Sequence, residues 1–295
     1  MRPMELAGTW YPATADACRT QLAAWVPKPE TMTGRLLGGM VPHAGWSITG
    51  GLSYGVLYRL CRSCPSPARV VLLGGHLDAR DACRVFIGSG FETPFGPLEN
   101  DVSLSEEAAM MFDAEPESDE EYYDDNALEP LFPMIKALWP DAKVLTLAFP
   151  PVSEASKWGA DLGHRLRSLP DPSILVCSHD LTHYGPEHGF VPQGRGQRAS
   201  RWVLTENDPS ILDLIRNLSA SRIVWTATRQ RNACGAGSLA GALGALRILG
   251  AERTEVFDHT TSWMLRGDEE VPASFVSYAC ALFAAEESQL STSPL

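Results

Sequence analysis

Short apolar, β-branched runs recur along the chain, with amphipathic stretches between them. Leu36–Val41, Arg69–Leu73, Arg84–Ile87, Lys143–Leu147 and Ile174–Cys177 have the length and composition of buried strands. Ile223–Ala227, Glu255–Asp258 and Ser274–Ala279 are further strand candidates on the same grounds. The intervening segments read as helices. Thr14 is placed to cap a helix carrying Cys18, Leu22 and Trp25 on one face, and Ser103 with Glu106 forms a capping box ahead of Ala108 and Met111. Strands alternating with helices predict an α/β fold, a three-layer α/β/α sandwich around a mixed, partly parallel sheet. The polar stretches Asp113–Asp125, in which eight of thirteen residues are acidic, and Pro192–Arg201 read as surface loops. Strand-like runs continue on both sides of each, so the pattern predicts a single domain over residues 1–295, with its core at 5–285 and a flexible segment at 286–295.

Composition narrows the function classes. With 295 residues, 44% hydrophobic and 20% charged, the chain can bury a large core. The net charge of −12 opposes binding to nucleic acid or to an anionic membrane, and no Lys/Arg cluster interleaved with aromatics offsets it. Apolar runs break well short of the roughly 18 residues of a membrane span, and the N-terminus MRPMELAGTWYP has no signal-like apolar region. A cytoplasmic protein is expected. Seven cysteines scattered through a long chain do not form a disulfide framework, so the thiols are expected reduced.

In such folds ligands gather beyond the carboxyl ends of the strands. Four segments there carry chemistry: Pro42-His43-Ala44-Gly45, Gly74-Gly75-His76, the run Ser178-His179-Asp180-Leu181-Thr182-His183, and Cys234 before the small-residue stretch Gly235–Leu243. Neutral imidazole with an anionic donor suits non-heme iron, copper or zinc. Cys234, ahead of a helix, is expected to have a depressed thiol pKa through the helix dipole. Other motifs fail on inspection. His179-Asp180-Leu181-Thr182-His183 has zincin spacing but follows a strand and lacks the glutamate base, and no Gly-x-Ser-x-Gly elbow is present. Gly235-Ala236-Gly237-Ser238-Leu239-Ala240-Gly241 misplaces the third glycine of a dinucleotide fingerprint and reads as close helix packing, while Cys61 and Cys64 have no second pair for a zinc site.

Several motifs, in order from Ala7 to Phe283, together resemble the Memo family, which includes protein B of the AmmeMemoRadiSam system. They are AGTWYP, PHAGWSITGG, Gly74-Gly75-His76, ETPFGPLENDV, LEPLFP, SHDLTHYG, NACG and SFVSYACALF. That family is similar to class III extradiol dioxygenases, so the resemblance implies an α/β/α sandwich of that kind. It implies His43, His76 and Cys234 as the ligands of one metal ion, Fe(II) first and Cu or Zn as alternatives, with His183 and Asp180 as catalytic residues lining the same pocket. It also implies a small-molecule or peptide substrate, and AMMECR1-like and radical SAM proteins as partners. This chain departs from the family pattern in three places. Gly-Pro-x-His is shortened to Gly74-Gly75-His76, Asn126 stands where a pocket histidine is usual, and His179 replaces a small polar residue. His179 and Asn126 are therefore additional pocket candidates. With Cys234 in place of the dioxygenase carboxylate, the expected function is a mononuclear, dioxygenase-like redox or oxygen-dependent enzyme. The alternatives are a non-catalytic metal-binding or protein-interaction module, and hydrolytic zinc chemistry.

Overall fold

The computed structural model describes residues 1–27 and 34–286. Helix α1 (Ala15–Ala24) is capped by the Thr14 hydroxyl, which accepts from the Ala17 N–H, and buries Cys18 and Leu22. Then follow β1 (Leu36–Val41), α2 (Gly51–Ser63), β2 (Arg69–Leu73), β3 (Arg84–Phe86), a small hairpin of β4 (Gly90–Phe91) and β5 (Leu98–Glu99), α3 (Val102–Met111) and β6 (Glu115–Glu117). The middle of the chain forms α4 (Phe132–Leu138), β7 (Lys143–Ala148), α5 (Ala155–Ser168), β8 (Ser173–Ser178), β9 (His183–Tyr184) and α6 (Gln197–Trp202). The last part forms α7 (Asp208–Arg216), α8 (Ala220–Gln230), α9 (Ala236–Leu249), β10 (Arg253–Thr261), α10 (Ser262–Arg266) and β11 (Phe275–Ala284).

The main sheet runs β10-β11-β1-β8-β2-β7-β3-β6, with β9 added to β11. Its centre, β1-β8-β2-β7, is parallel, and β11 and β3 flank it antiparallel. Period-two alternation sorts the strand residues onto two faces. Val71, Leu73, Leu145, Leu147, Leu175 and Cys177 pack with α3, α5, α7, α8 and α9. Val70, Leu72, Val144, Ile174 and Val176 pack with α1, α2 and α4 on the other side. Helices on both faces make the expected three layers. Because Val70 through Leu73 are all fully buried, truncating Leu72 or Leu73 to alanine would cost about 2–5 kcal/mol. The strand ends are therefore a stiff platform. Close α5–α9 packing uses the small residues of the glycine stretch, since a Cβ at Gly159 would collide with the Gly241 carbonyl.

Four local expectations are corrected. Ile223–Ala227 lies inside α8, not in a strand: Ala220, Ile223 and Ala227 are buried at helical spacing, and the short β-branched run concealed that period. The cap of α3 is Asp101, whose carboxylate accepts from the Leu104 N–H and also holds Arg69 at 3.0 Å, so Ser103 and Glu106 fall inside the first turns. Asp113–Asp125 is not all loop, because β6 pairs in parallel with β3. Likewise Pro192–Arg201 gives way to α6 at Gln197. The C-terminal segment expected to be flexible lies, from residue 287 onward, outside the described residues. Among the described residues no helix is long and apolar enough to cross a membrane.

Candidate metal centre

Three adjacent parallel strands, β1, β8 and β2, end at the same edge of the sheet. Each delivers part of the site: β1 runs into Pro42-His43, β2 into Gly74-Gly75-His76, and β8 into His179-Asp180. Cys234 enters from the loop before α9, and its backbone N–H donates to the Asp180 carbonyl at 3.1 Å. Donor atoms of His43, His76 and Cys234 all lie within 4.8 Å of one another. The shortened glycine motif does not stop His76 from reaching this point. Gly75 turns the chain with φ +138°, a region that L side chains rarely adopt, and a Cβ there would crowd the Ala148 side chain at 2.7 Å.

Hydrogen bonds set the tautomer of both histidines. Ser178 Oγ donates to the Ala127 carbonyl, so its lone pair is left to accept from His43 Nδ1 at 3.0 Å. His76 Nδ1 faces both carboxylate oxygens of Asp125, at 3.2 and 3.3 Å, and Asp125 also accepts the His76 backbone N–H at 2.7 Å. An ionised carboxylate can only accept. Both rings therefore carry the proton on Nδ1 and present Nε2 as a lone pair. His43 Nε2 then stands 3.7 Å from Cys234 Sγ and 3.5 Å from Asp180 Oδ2. Electron-pair donors brought together with few protons between them repel, and a cation among them relieves that repulsion. Two oriented imidazoles and a thiolate suit Fe(II), Cu(I) or Zn(II).

Burial dominates the electrostatics. It pushes His43 down to about 3, with His76 adding to the effect, and His179 down to about 3 with neighbouring histidines contributing. His183 is lowered to about 4, mainly by burial and against the pull of Asp180. Asp180 is raised to about 6, again by burial. His76 is the exception: burial lowers it, but the hydrogen bond and charge of Asp125, with Asp180, outweigh that and raise it. Asp125 is correspondingly held at about 2, its bonds to His76 overcoming its own burial. The depressed thiol expected at Cys234 is not found. Burial raises it well above its ordinary value, and Asp180 and Asp125 add to the rise. Cys234 precedes the first residue of α9, Ala236, by two positions, so two nearby carboxylates and burial outweigh the helix dipole.

A cleft of about 440 Å³ opens over the donors, lined by His76, Asp78, Leu181, His183, Arg231 and Cys234 among others. The backbone of His183 is fixed by pairing with Val276 in β11, while its Nε2 is buried without a partner, 4.0 Å from Asp180 Oδ2. His179 is fully buried behind Cys234, with Nδ1 4.0 Å from Sγ. Asn126 makes no hydrogen bond to the donors; its neighbours Asp125 and Ala127 supply the contacts instead. Four participants were not read from the sequence: Ser178 and Asp125, which orient the two imidazoles, His188, packed edge-on against His183 at 5.0 Å, and Arg231 on the cleft wall. Only Ser178 had a signal, as the last residue of a strand that ends at the site.

Comparison with known proteins places the chain in a family. The family model described as Memo-like protein matches residues 2–282. A MEMO1 family protein of Methanococcoides burtonii is 25% identical over 286 residues, covering 96% of this chain and 99% of its own. A MEMO1 family protein of Aquifex aeolicus is 25% identical, over 91% of this chain and 94% of its own. The memo-1 homolog of Caenorhabditis elegans is 27% identical over 64% of this chain and 54% of its own. Among solved structures, an uncharacterized protein from Escherichia coli K12 is similar over 84% of this chain and 99% of that one, with a TM-score of 0.48 at 13% identity. Matched by the family model over nearly its whole length, the chain belongs to the Memo family.

Proposed function

We propose that this chain is a mononuclear, dioxygenase-like metalloprotein in which His43, His76 and Cys234 hold one metal ion. Fe(II) is the leading candidate, with copper and zinc as alternatives. The reaction proposed is redox or oxygen-dependent, on a small molecule or modified peptide admitted by the cleft. The observation that carries the reading is the convergence of donor atoms of His43, His76 and Cys234 within 4.8 Å of one another, with Ser178 and Asp125 each placed to accept a hydrogen bond from an Nδ1 and so leave Nε2 as a lone pair. Bound there, a metal would supply Lewis acidity and, as iron or copper, a one-electron couple.

The residues around the triad have separable tasks. His183 lines the cleft and is kept neutral by burial, so its ring is the group placed to take a proton from a bound substrate. The Asp180 carboxylate beside it stabilises the imidazolium so formed. Leu181 and Ala236 supply apolar lining.

The test is purification under anaerobic conditions, followed by metal analysis and then oxygen uptake on admitting air with candidate reductants or substrates. Near-stoichiometric iron with metal-dependent oxygen consumption is expected. Stoichiometric metal with no oxygen uptake would instead indicate a binding or interaction module. Turnover independent of oxygen with zinc bound would indicate hydrolysis.

A further inference from the structure

We infer that His179 is a positioning residue for the Cys234 sulfur: its Nδ1–H donates a hydrogen bond to the thiolate and withdraws charge from it. This rests on the reading of Cys234 as a metal ligand. His179 is completely buried, and its own backbone N–H is committed to the Val41 carbonyl at 2.8 Å. Its ring has one polar neighbour at Nδ1, Cys234 Sγ at 4.0 Å, and Nε2 is buried with no partner.

A neutral imidazole must place its proton on one of these two nitrogens. On Nε2 it would be a buried donor with nothing to bond, which costs about 1–3 kcal/mol. On Nδ1 it points at the sulfur. A thiolate has only lone pairs to offer, so once Cys234 is ionised the Nδ1–H tautomer is the one that fits.

The sulfur already accepts the Asp180 backbone N–H at 3.2 Å. His179 would be its second N–H donor. Two donors on one sulfur lower its basicity and its ease of oxidation. In metal–thiolate sites, hydrogen bonding around the cysteine sulfur is one of the levers that tune redox potential. His179 therefore acts through Cys234 and does not bind the metal itself.

The test uses the full chain loaded with Co(II) alone, whose sulfur-to-metal absorption reports charge on the thiolate. His179→Leu keeps the bulk and removes the donor, and His179→Asn returns an amide N–H near the Nδ1 position. Metal stoichiometry should be unchanged in both. The absorption should move to longer wavelength in the leucine variant and return toward wild type in the asparagine variant. An unmoved band at full occupancy would mean that His179 only fills space, and lost occupancy in His179→Leu would make it a ligand; either overturns the inference. Should the variants fail to fold, nitrogen-15 NMR of the wild-type Zn(II)-loaded protein decides: the His179 proton is expected on Nδ1, and a proton on Nε2 overturns it. A wild-type chain that takes up no metal overturns the triad reading and this inference with it, whereas bound metal with an unmoved band overturns only the role of His179.

Discussion

Asp180 and Cys234 hold each other through a reciprocal pair of bonds: the Cys234 N–H donates to the Asp180 carbonyl at 3.1 Å, and the Asp180 N–H donates to Cys234 Sγ at 3.2 Å. The loop before α9 is thereby locked to the end of β8, and the sulfur is held at the mouth of the strand platform whether or not it carries a metal. Replacing Cys234 should therefore be possible without loss of the fold.

Cys234→Ser keeps an acceptor for the Asp180 N–H but exchanges a soft donor for a hydroxyl. Bound metal should fall from near one per chain to near zero, while metal-free stability changes by about 1 kcal/mol, the worth of one altered hydrogen bond. His43→Ala should also lose the metal, at a larger stability cost because it leaves Ser178 Oγ facing a buried gap. Metal analysis alongside denaturant unfolding checks both. Wild-type metal content in either variant would remove that residue from the ligand set.

Asp125→Asn tests orientation without touching a ligand. The amide keeps an oxygen for the His76 backbone N–H but weakens the hold on Nδ1. Partners of this kind are worth about 10–100-fold in metal affinity, so a loss in that range is expected by chelator competition, with stoichiometry restored at high metal. An unchanged affinity would show that His76 needs no anchor.

Much of this site could be read from the chain because the chemistry sits at strand ends. The runs before His43, His76 and His179 are unambiguous strands, and in a parallel sheet their carboxyl ends must converge. Asp125 was hidden for the opposite reason. It closes an acidic run that looks solvated, and what holds it is the backbone N–H and ring of His76, a contact between distant segments about which local pattern says nothing. Cys234 shows the limit of a local electrostatic rule. The helix N-terminus favours thiolate by under about 2 kcal/mol and only within the first turn, while Asp180 and Asp125, distant in sequence, act with burial in the other direction.

That sign carries a prediction for thiol reactivity. In the metal-free protein Cys234 should be alkylated slowly at neutral pH, despite facing the cleft, because nearly all of it is protonated thiol. The rate should climb as pH rises past the ordinary thiol value of 9.0. Cys61 and Cys64, also raised by burial but less so, should react at lower pH. Mass-spectrometric footprinting across pH separates the sites. Rapid, selective labelling of Cys234 at neutral pH would show that the helix dipole prevails after all.

His183→Gln should retain the metal and lose turnover by about 10²–10⁴, the usual worth of a positioned acid or base. The substitution keeps polar bulk in the cleft while removing the imidazole. Metal content and oxygen uptake are read on the same preparation. Lost metal would move His183 into the ligand set, and retained turnover would leave the cleft without its proposed base.

Metal affinity should depend on pH in two stages, and the break between them identifies His76. A metal at the triad displaces the proton from the Cys234 thiol, which is bound throughout the neutral range because its pKa is raised well above 9.0. Affinity should thus rise about tenfold per pH unit there, one proton being released per metal. His76 is raised above its ordinary 6.5 by Asp125 and Asp180, against the effect of burial, so below that raised value a second proton competes for the same ring. As pH falls through it, the dependence should steepen toward about two protons per metal. His43, pushed down to about 3 by burial, adds no competition in this range, and Asp125, held at about 2, stays ionised. Asp180, raised to about 6, does titrate nearby, so the assignment needs a variant that acts on His76 and not on Asp180. Asp125→Asn removes the carboxylate that lifts His76, and the break should then move to lower pH while the Asp180 contribution stays where it was. Zn(II) competition titrations between pH 5 and 9, corrected for protonation of the chelator, measure the slope directly. A break that Asp125→Asn does not move would mean that the second proton belongs to Asp180, and that His76 does not lose a proton on binding the metal.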